Sequence, residues 1–151
     1  MHLSTKTFGH ELGLSSAFRQ WKADSHCRFL HGYALAVKFT FAAEELDVRN
    51  WVVDFGGLKG LKQILEDTFD HKTLVASDDP LWSMFQQMHK AGMIDLVEVP
   101  KTGCEAFAEM IYEVTEQWLV DAGFSPRCSL VSVEVMEHGA NSAIFTRSPQ
   151  L

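Results

Sequence analysis

The stretch SHCRFLHGYALAVKFTF, residues 25–41, carries the clearest strand pattern of the chain. Every second residue from Tyr33 to Phe41 is large and apolar or aromatic, and smaller or polar residues stand between them. Because side chains alternate between the two faces of a strand, this pattern predicts a strand with one buried face. The approach to the strand offers three groups that can bind a metal or move a proton, namely His26, Cys27 and His31.

Two further regions of the chain have strand character. Residues 8–18 alternate with period two, which predicts one continuous strand. Residues 129–147 alternate in the same way on both sides of a Gly-Ala-Asn turn, which predicts a hairpin.

Helical spacing of apolar residues predicts two long amphipathic helices, over residues 56–71 and 102–123. Thr102 and Glu105 have the spacing of a capping box at the start of the second helix. A shorter helix over residues 80–92 is predicted in the connection between the two, and its role is open.

Taken in order, these elements give ββααββ and predict the α+β class. Each element has one apolar side, so we expect an antiparallel sheet with the two long helices on one face. Residues 1–151 show no repeat and no linker-like segment, which predicts a single domain. The open edges of such a sheet favour association with further copies of the chain.

Composition narrows the class of partner. The chain has 13 Lys and Arg residues against 20 Asp and Glu residues, and the basic residues are scattered, which argues against a nucleic-acid partner. No apolar run approaches the roughly 20 residues of a membrane helix, and the N-terminal segment lacks a signal pattern, so we expect no membrane partner and a cytoplasmic location. The three cysteines show no CxxC spacing, which suggests neither a disulfide framework nor a zinc finger.

The entry to the strand of residues 33–41 is a candidate metal site. His31 and Tyr33 are two residues apart, so their side chains are expected on the same face. Either the pair binds a metal, with Tyr33 as an uncommon zinc ligand, or His31 is a hydrogen-bonded histidine and Tyr33 an aromatic residue at the sheet rim.

Two further candidates carry proton-transfer chemistry. Cys27 lies near two histidines, and a neighbouring imidazole can activate a thiol as a nucleophile or base, although a single loop cysteine is often a bystander. Asp70 and His71 end the first long helix. The carboxylate can orient that imidazole, or His71 is an ordinary histidine favoured by the helix dipole.

Glu137 is the least expected residue of the hairpin. It continues the period of Val131, Val133 and Val135, so it places a carboxylate at the end of an apolar face, where an unpaired charge is costly. Its partner is either a Lys or Arg side chain, or a ligand with two adjacent N–H donors that one carboxylate accepts side by side.

Five segments in this order resemble the 6-pyruvoyl-tetrahydropterin synthase and 6-carboxytetrahydropterin synthase family, which has the T-fold (tunnelling fold). They are CRFLHGY, WVVDFGGLK, FDHKTL, TGCEAFA and VEVMEHGANSAIF. The resemblance implies a ββααββ unit whose copies associate into a barrel, commonly a hexamer of two trimers, with active sites between subunits.

The resemblance also implies roles for individual residues. Cys27 matches the catalytic cysteine, Asp70 and His71 match its acid/base partners, and Glu137 matches the glutamate that holds the pterin ring. Two residues match a further substrate-binding segment at the second helix, Thr102 and Glu105.

Zinc is expected for the family, but this chain departs from the family's ligand pattern. Of the three histidine positions, only His31 is retained. Phe18 stands at the first ligand position and Tyr33 at the third. These two replacements put the metal, and the polarisation of substrate oxygens that it supplies, in doubt.

By resemblance, the expected activity is that of a 6-carboxytetrahydropterin synthase-like lyase. Its small-molecule substrate would be 7,8-dihydroneopterin triphosphate, on the route to 7-deazaguanines such as queuosine. The alternative is a zinc-less T-fold protein that binds a pterin or purine ring, with a different activity or none. A third possibility is a structural T-fold subunit whose role lies in assembly.

Overall fold

The computed structural model describes residues 1–147, so the last four residues of the predicted domain lie outside the described part. Within that part the chain forms a seven-stranded sheet and three α-helices. The strands are β1 His2–Phe8, β2 Leu14–Phe18, β3 His31–Ala43, β4 Lys72–Ala76, β5 Leu96–Val99, β6 Ser129–His138 and β7 Asn141–Phe145. The helices are α1 Lys59–Phe69, α2 Trp82–Lys90 and α3 Cys104–Asp121.

The long strand β3 organises the sheet. One of its edges pairs with β2 and then with β1, and its other edge pairs with β6, which continues to β7. All of these pairings are antiparallel, as the sequence predicts. Beyond β2 the sheet is extended by β4 and β5, which pair in parallel and which the sequence patterns did not predict.

The prediction of one continuous strand over residues 8–18 is wrong. A 3-10 turn over His10–Leu12 separates β1 from β2, and Gly13 follows it in the left-handed region, with φ 72°. Glycine is the residue that enters this region without a steric penalty. Phe8 pairs with Val37 while Leu14 pairs with Leu35, so the two strands follow each other along the same edge of β3.

The predicted helices are confirmed, but the capping box is not. Gly103 caps α3 with φ 111° and no side chain caps the helix. The Thr102 hydroxyl instead donates to the Arg19 carbonyl at 2.7 Å. The hydroxyl therefore ties the start of α3 to the end of β2.

The core lies between the sheet and the helices α1 and α3. Close contact between these helices is possible because Gly60 has no side chain: a Cβ there would lie 2.9 Å from the Trp118 indole nitrogen. The largest fully buried side chains come from the sheet and from both helices: Phe18, Phe39, Phe41, Leu35, Leu61, Leu65, Phe69 and Phe107. Among the described residues, no helix is both long enough and apolar enough to cross a bilayer.

The segment of α2 and β5 is held to the sheet by a buried ion pair. Arg19, just after β2, donates two hydrogen bonds to Asp79, at 2.8 and 2.5 Å. The Asp79 side chain is 1 % exposed. It also accepts the Leu81 amide at 2.8 Å, so one carboxylate fixes the approach to α2.

Candidate functional site

Cys27 lies in a 3-10 turn, His26–Arg28, in the loop between β2 and β3. Its amide donates to the Ser25 hydroxyl at 3.4 Å, and its carbonyl accepts the Gln20 amide at 3.0 Å. The thiol is partly exposed, and within residues 1–147 it has no hydrogen-bond partner. The backbone thus holds the loop in place while the sulfur stays available.

Glu137 lies where the register between β6 and β7 shifts, between Met136 and His138. The side chain is half-buried, and no Lys or Arg of residues 1–147 forms an ion pair with it. The Cys104 thiol at the start of α3 lies close enough to this carboxylate for its charge to raise the pKa of the thiol. Of the two partners that the sequence left open, a Lys or Arg salt bridge is not formed within the described chain.

Cys104 is the site residue that sequence reasoning missed. Burial raises the pKa of its thiol to about 12, with further contributions from the charge and hydrogen bond of Glu137 and from the charge of Glu105. The thiol therefore stays protonated beside the Glu137 carboxylate. A cysteine at the first position of a helix gave no sequence signal for this role, because the contact joins α3 to the distant end of β6.

Tyr33 lies near Glu137, Cys27 and Cys104, and these four residues are called the Glu137 group below. Burial raises the pKa of its phenol, and the charges of Glu137, Cys27 and Cys104 raise it further. The phenol therefore lies within electrostatic range of the carboxylate and of both thiols. No hydrogen bond links its hydroxyl to any other residue of the described chain.

The three positions of the expected zinc site come together in space. Phe18 pairs with His31 across the strands β2 and β3. Ring centroids lie 6.1 Å apart for Phe18 and His31, 6.1 Å for Phe18 and Tyr33, and 5.3 Å for His31 and Tyr33. The predicted shared face of His31 and Tyr33 is thus confirmed.

The residues at these positions do not fit a zinc ion. Zinc in proteins takes four ligands in a tetrahedron, from Cys, His, Asp or Glu side chains and water. Phe18 has no lone pair to donate, and His31 uses Nδ1 to bond the Phe29 carbonyl at 2.6 Å, which leaves one nitrogen. No cluster of three or more His, Cys, Asp or Glu residues in residues 1–147 is arranged to hold a metal ion.

Asp70 and His71 form a second group. Their side chains converge, with His71 Nδ1 2.8 Å from Asp70 Oδ1. His71 adopts φ 58°, and its amide donates to the Ser15 carbonyl at 2.7 Å. This left-handed turn points the imidazole outward, 84 % exposed, with the carboxylate behind it. The orienting role that the sequence allowed for Asp70 is therefore available.

The backbone holds this pair and the Cys27 loop at opposite ends of β2. His71 is bonded to Ser15 at the start of β2, and Cys27 to Gln20 beyond its end. Five residues of extended chain span about 16 Å. His71 lines an open cleft of about 490 Å³ together with Gly32, Lys72 and Asp95.

The substrate-binding residues expected at α3 divide into two roles. The Thr102 hydroxyl is engaged by the Arg19 carbonyl, which is a structural contact. Glu105 lies close enough to Cys104 for its charge to raise the pKa of that thiol. Glu105 directly follows Cys104 in the chain and is thus near Glu137.

A family model described as 6-pyruvoyl tetrahydropterin synthase matches residues 9–148. The chain belongs to this family. A curated member, the 6-carboxy-5,6,7,8-tetrahydropterin synthase of Aquifex aeolicus, is 25% identical over 136 residues, which cover 88% of this chain and 83% of that protein. The enzyme of the same name from Rickettsia typhi is 39% identical over 54 residues, 35% of this chain and 39% of that protein.

Solved structures show the same fold. A protein of Wolinella succinogenes described as uncharacterized superposes with a TM-score of 0.81 at 19% identity, covering 97% of this chain and 98% of that one. A catalytic-residue mutant of the Plasmodium vivax 6-pyruvoyltetrahydropterin synthase superposes with a TM-score of 0.67 at 16% identity, covering 97% and 99%. The family assignment and the α+β T-fold expected from the sequence are thereby confirmed.

Proposed function

We propose that the protein is a pterin-site lyase of the 6-carboxytetrahydropterin synthase type, acting on 7,8-dihydroneopterin triphosphate. Membership of the family and the curated relative from Aquifex aeolicus support this reaction class. The product would feed the synthesis of 7-deazaguanines such as queuosine. We further propose that residues 1–151 form one domain and act in the cytoplasm.

One observation carries the proposal: Glu137 presents a carboxylate with no cationic partner in residues 1–147, in the same group as Cys27 and Tyr33. A pterin ring offers an N–H and an amino group on one edge. A carboxylate accepts such a pair side by side, in the same way as it accepts an arginine fork. Glu137 would therefore anchor the pterin ring and direct the side chain of the pterin towards Cys27 and Tyr33.

Cys27 is the proposed base on the substrate side chain. Its sulfur is partly exposed and unpartnered within the described chain, and it lies in electrostatic range of Tyr33 beside Glu137. General acid/base catalysis needs such a group within reach of the proton that moves. Glu105, near the same carboxylate, is proposed to contact the substrate, and Thr102 to hold the start of α3 in place.

Asp70 and His71 are the proposed second acid/base pair, supplied to the site by a neighbouring copy. His71 is exposed and oriented by Asp70, and its backbone is bonded to Ser15, about 16 Å along extended chain from Gln20, which holds the Cys27 loop. A complete site then needs a homo-oligomer in which this edge of one chain meets the Glu137 group of the next. The family resemblance suggests a hexamer.

A product assay tests the lyase reaction directly. Purified, tag-free protein is incubated with 7,8-dihydroneopterin triphosphate, and products are identified by mass spectrometry. We expect 6-carboxytetrahydropterin from the wild type and none from Cys27→Ala. A folded, oligomeric wild type that leaves the substrate unchanged, with and without added zinc, would sink the lyase proposal.

A second candidate is a ring-binding protein with a different activity or none. The loss of two zinc ligands, at Phe18 and Tyr33, favours it, because binding needs only Glu137 and its pocket. It predicts that dihydropterins raise the melting temperature of the protein although no product forms.

A further inference from the structure

The expected zinc position is filled by an aromatic cluster, made of Phe18, His31 and Tyr33. Phe18 is 2 % exposed and packs edge-on against Phe107, with ring centroids 5.0 Å apart. The Phe18 ring packs against α3 and cannot bind a metal ion. The remaining polar atoms of the cluster are the free His31 nitrogen and the Tyr33 hydroxyl.

The Tyr33 hydroxyl is placed to meet a ligand held by Glu137. It has no hydrogen-bond partner in residues 1–147, although it lies within electrostatic range of both Glu137 and Cys27. The ring of His138, next to Glu137, lies 6.4 Å from the Tyr33 ring. The hydroxyl is thus an unpaired donor near both Glu137, which would hold the ring, and Cys27, which would act on the side chain of the pterin.

A phenol can supply part of what a metal supplies. A metal ion draws electron density from a substrate oxygen that is about to gain negative charge. A preorganised O–H donor stabilises the same developing charge through a hydrogen bond, and removing one such donor typically costs 100-fold or more in kcat. Tyr33 offers this donor at the position where the family pattern has a ligand.

We propose that this site works without a tetrahedral zinc ion and that the Tyr33 hydroxyl donates a hydrogen bond to a side-chain oxygen of the ring-bound pterin. This inference deepens the proposed function and rests on ring binding by Glu137. Its two parts, the metal and the hydroxyl, are tested separately, and neither test requires turnover.

The metal test compares bound zinc in three proteins treated with chelator, dialysed and then given zinc. The wild type and His31→Ala are compared with Phe18→His/Tyr33→His, which restores the family's histidines and is the positive control. We expect one zinc per chain, and a zinc-dependent rise in melting temperature, only in the double variant. One zinc per chain in the wild type, lost in His31→Ala, would overturn the proposal.

The hydroxyl test measures the affinity of Tyr33→Phe for two ligands, a dihydropterin without a side chain and 7,8-dihydroneopterin. We expect unchanged affinity for the first and roughly 10-fold weaker binding of the second, the size of effect expected for one hydrogen bond. Equal effects on both ligands, or no effect on either, would contradict the role of the hydroxyl.

Tyr112→Phe is the matched control for the hydroxyl test. Its hydroxyl donates to the Leu130 carbonyl at 3.1 Å in the core, away from the Glu137 group. We expect it to change affinity for neither ligand. If the wild type binds both dihydropterins but forms no product, the lyase proposal fails while the result for Tyr33 still stands.

Discussion

At the scale of single residues, the proposed binding of a pterin ring depends most on Glu137. A half-buried carboxylate is costly unless hydrogen bonds or a cation compensate it, and within residues 1–147 no Lys or Arg forms an ion pair with Glu137, whose neighbour is the Cys104 thiol. A ring with two adjacent N–H donors would supply the missing compensation. The charge is therefore better explained by ligand binding than by stability of the free chain.

Glu137→Gln tests this explanation. The amide keeps the size of the side chain but replaces one acceptor oxygen with a donor, which opposes the ring's own donors. We expect the affinity for a dihydropterin to fall about 100-fold, the loss of roughly 3 kcal/mol for a charged, two-point hydrogen bond. Isothermal titration calorimetry measures it, with Glu134→Gln on the same strand as the control. Equal affinity in Glu137→Gln and the wild type would contradict ring anchoring.

Cys104 predicts a pH dependence of stability. Burial and the charge of Glu137 raise the pKa of its thiol from 9.0 to about 12. The unfolded chain loses this proton first, so the stabilising effect is complete below pH 9 and is lost as the pH rises through about 12.

We expect the wild type to lose about 1 kcal/mol more than Cys104→Ala between pH 8 and pH 10, in urea unfolding at each pH. Cys128 is a buried thiol whose pKa is also raised by burial, and it contributes equally in both proteins. Parallel pH profiles for the two proteins would show that Cys104 is not held protonated by the fold.

Residue-level reasoning from sequence reached Glu137 but not Cys104. The carboxylate broke an apolar alternation within one strand, and such a conflict is visible locally. The thiol matters because the start of α3 meets the end of β6, a contact between residues 33 positions apart. No local pattern encodes that contact.

At the scale of elements, sequence periodicity predicted the amphipathic helices and strands but missed the strands β4 and β5, which are not amphipathic. The helices α1 and α3 and the strands β3 and β6 bury apolar residues at regular spacing, and β7 alternates between exposed and half-buried residues, so their patterns are readable. The strands β4 and β5 are short, four or five residues, and β4 is almost fully buried, so neither alternates clearly. Parallel pairing also joins distant segments, which a local pattern does not reveal.

The segment of α2 and β5 depends on the ion pair of Arg19 and Asp79. Burial opposes ionisation of Asp79, but the hydrogen bonds from Arg19 and from the Leu81 amide outweigh it, so the net pKa of this carboxyl is lowered. The stabilisation is therefore present above the ordinary carboxyl pKa and is lost as the pH falls through the lower, folded value.

Asp79→Ala should lower the free energy of unfolding by about 3 kcal/mol, because it leaves Arg19 part-buried without a partner. Chemical denaturation at neutral pH measures this, and the difference from the wild type should shrink in acid. Asp78→Ala is the control, since that side chain is 56 % exposed, and its effect should be much smaller. Equal effects of the two substitutions would mean that the ion pair does not hold the segment.

At the scale of the whole molecule, two features of the single chain favour association with further copies. The strands β1 and β7 each pair on one side only, so the sheet has open edges of the kind that natural proteins cover. The exposed His71 and its partner Asp70 are also held at Ser15, about 16 Å along extended chain from Gln20, which holds the Cys27 loop. Association would cover the edges and complete the site.

We therefore expect a homo-oligomer in solution, a hexamer by the family resemblance. Size-exclusion chromatography with light scattering measures the mass directly, and the chain mass is 17.0 kDa. A monomer at micromolar concentration that still turns over substrate would contradict a site shared between copies.

Cys27 and Glu137 of one copy are proposed to work with Asp70 and His71 of another. The most direct measurement is turnover by mixed oligomers, made by co-expressing Cys27→Ala and His71→Ala chains with different tags and purifying assemblies that carry both. Each variant alone should form no product, and the mixed assemblies should regain activity, because some sites combine an intact Cys27 with an intact His71. Mixed assemblies as inactive as either variant, beside an active wild type, would contradict the shared site.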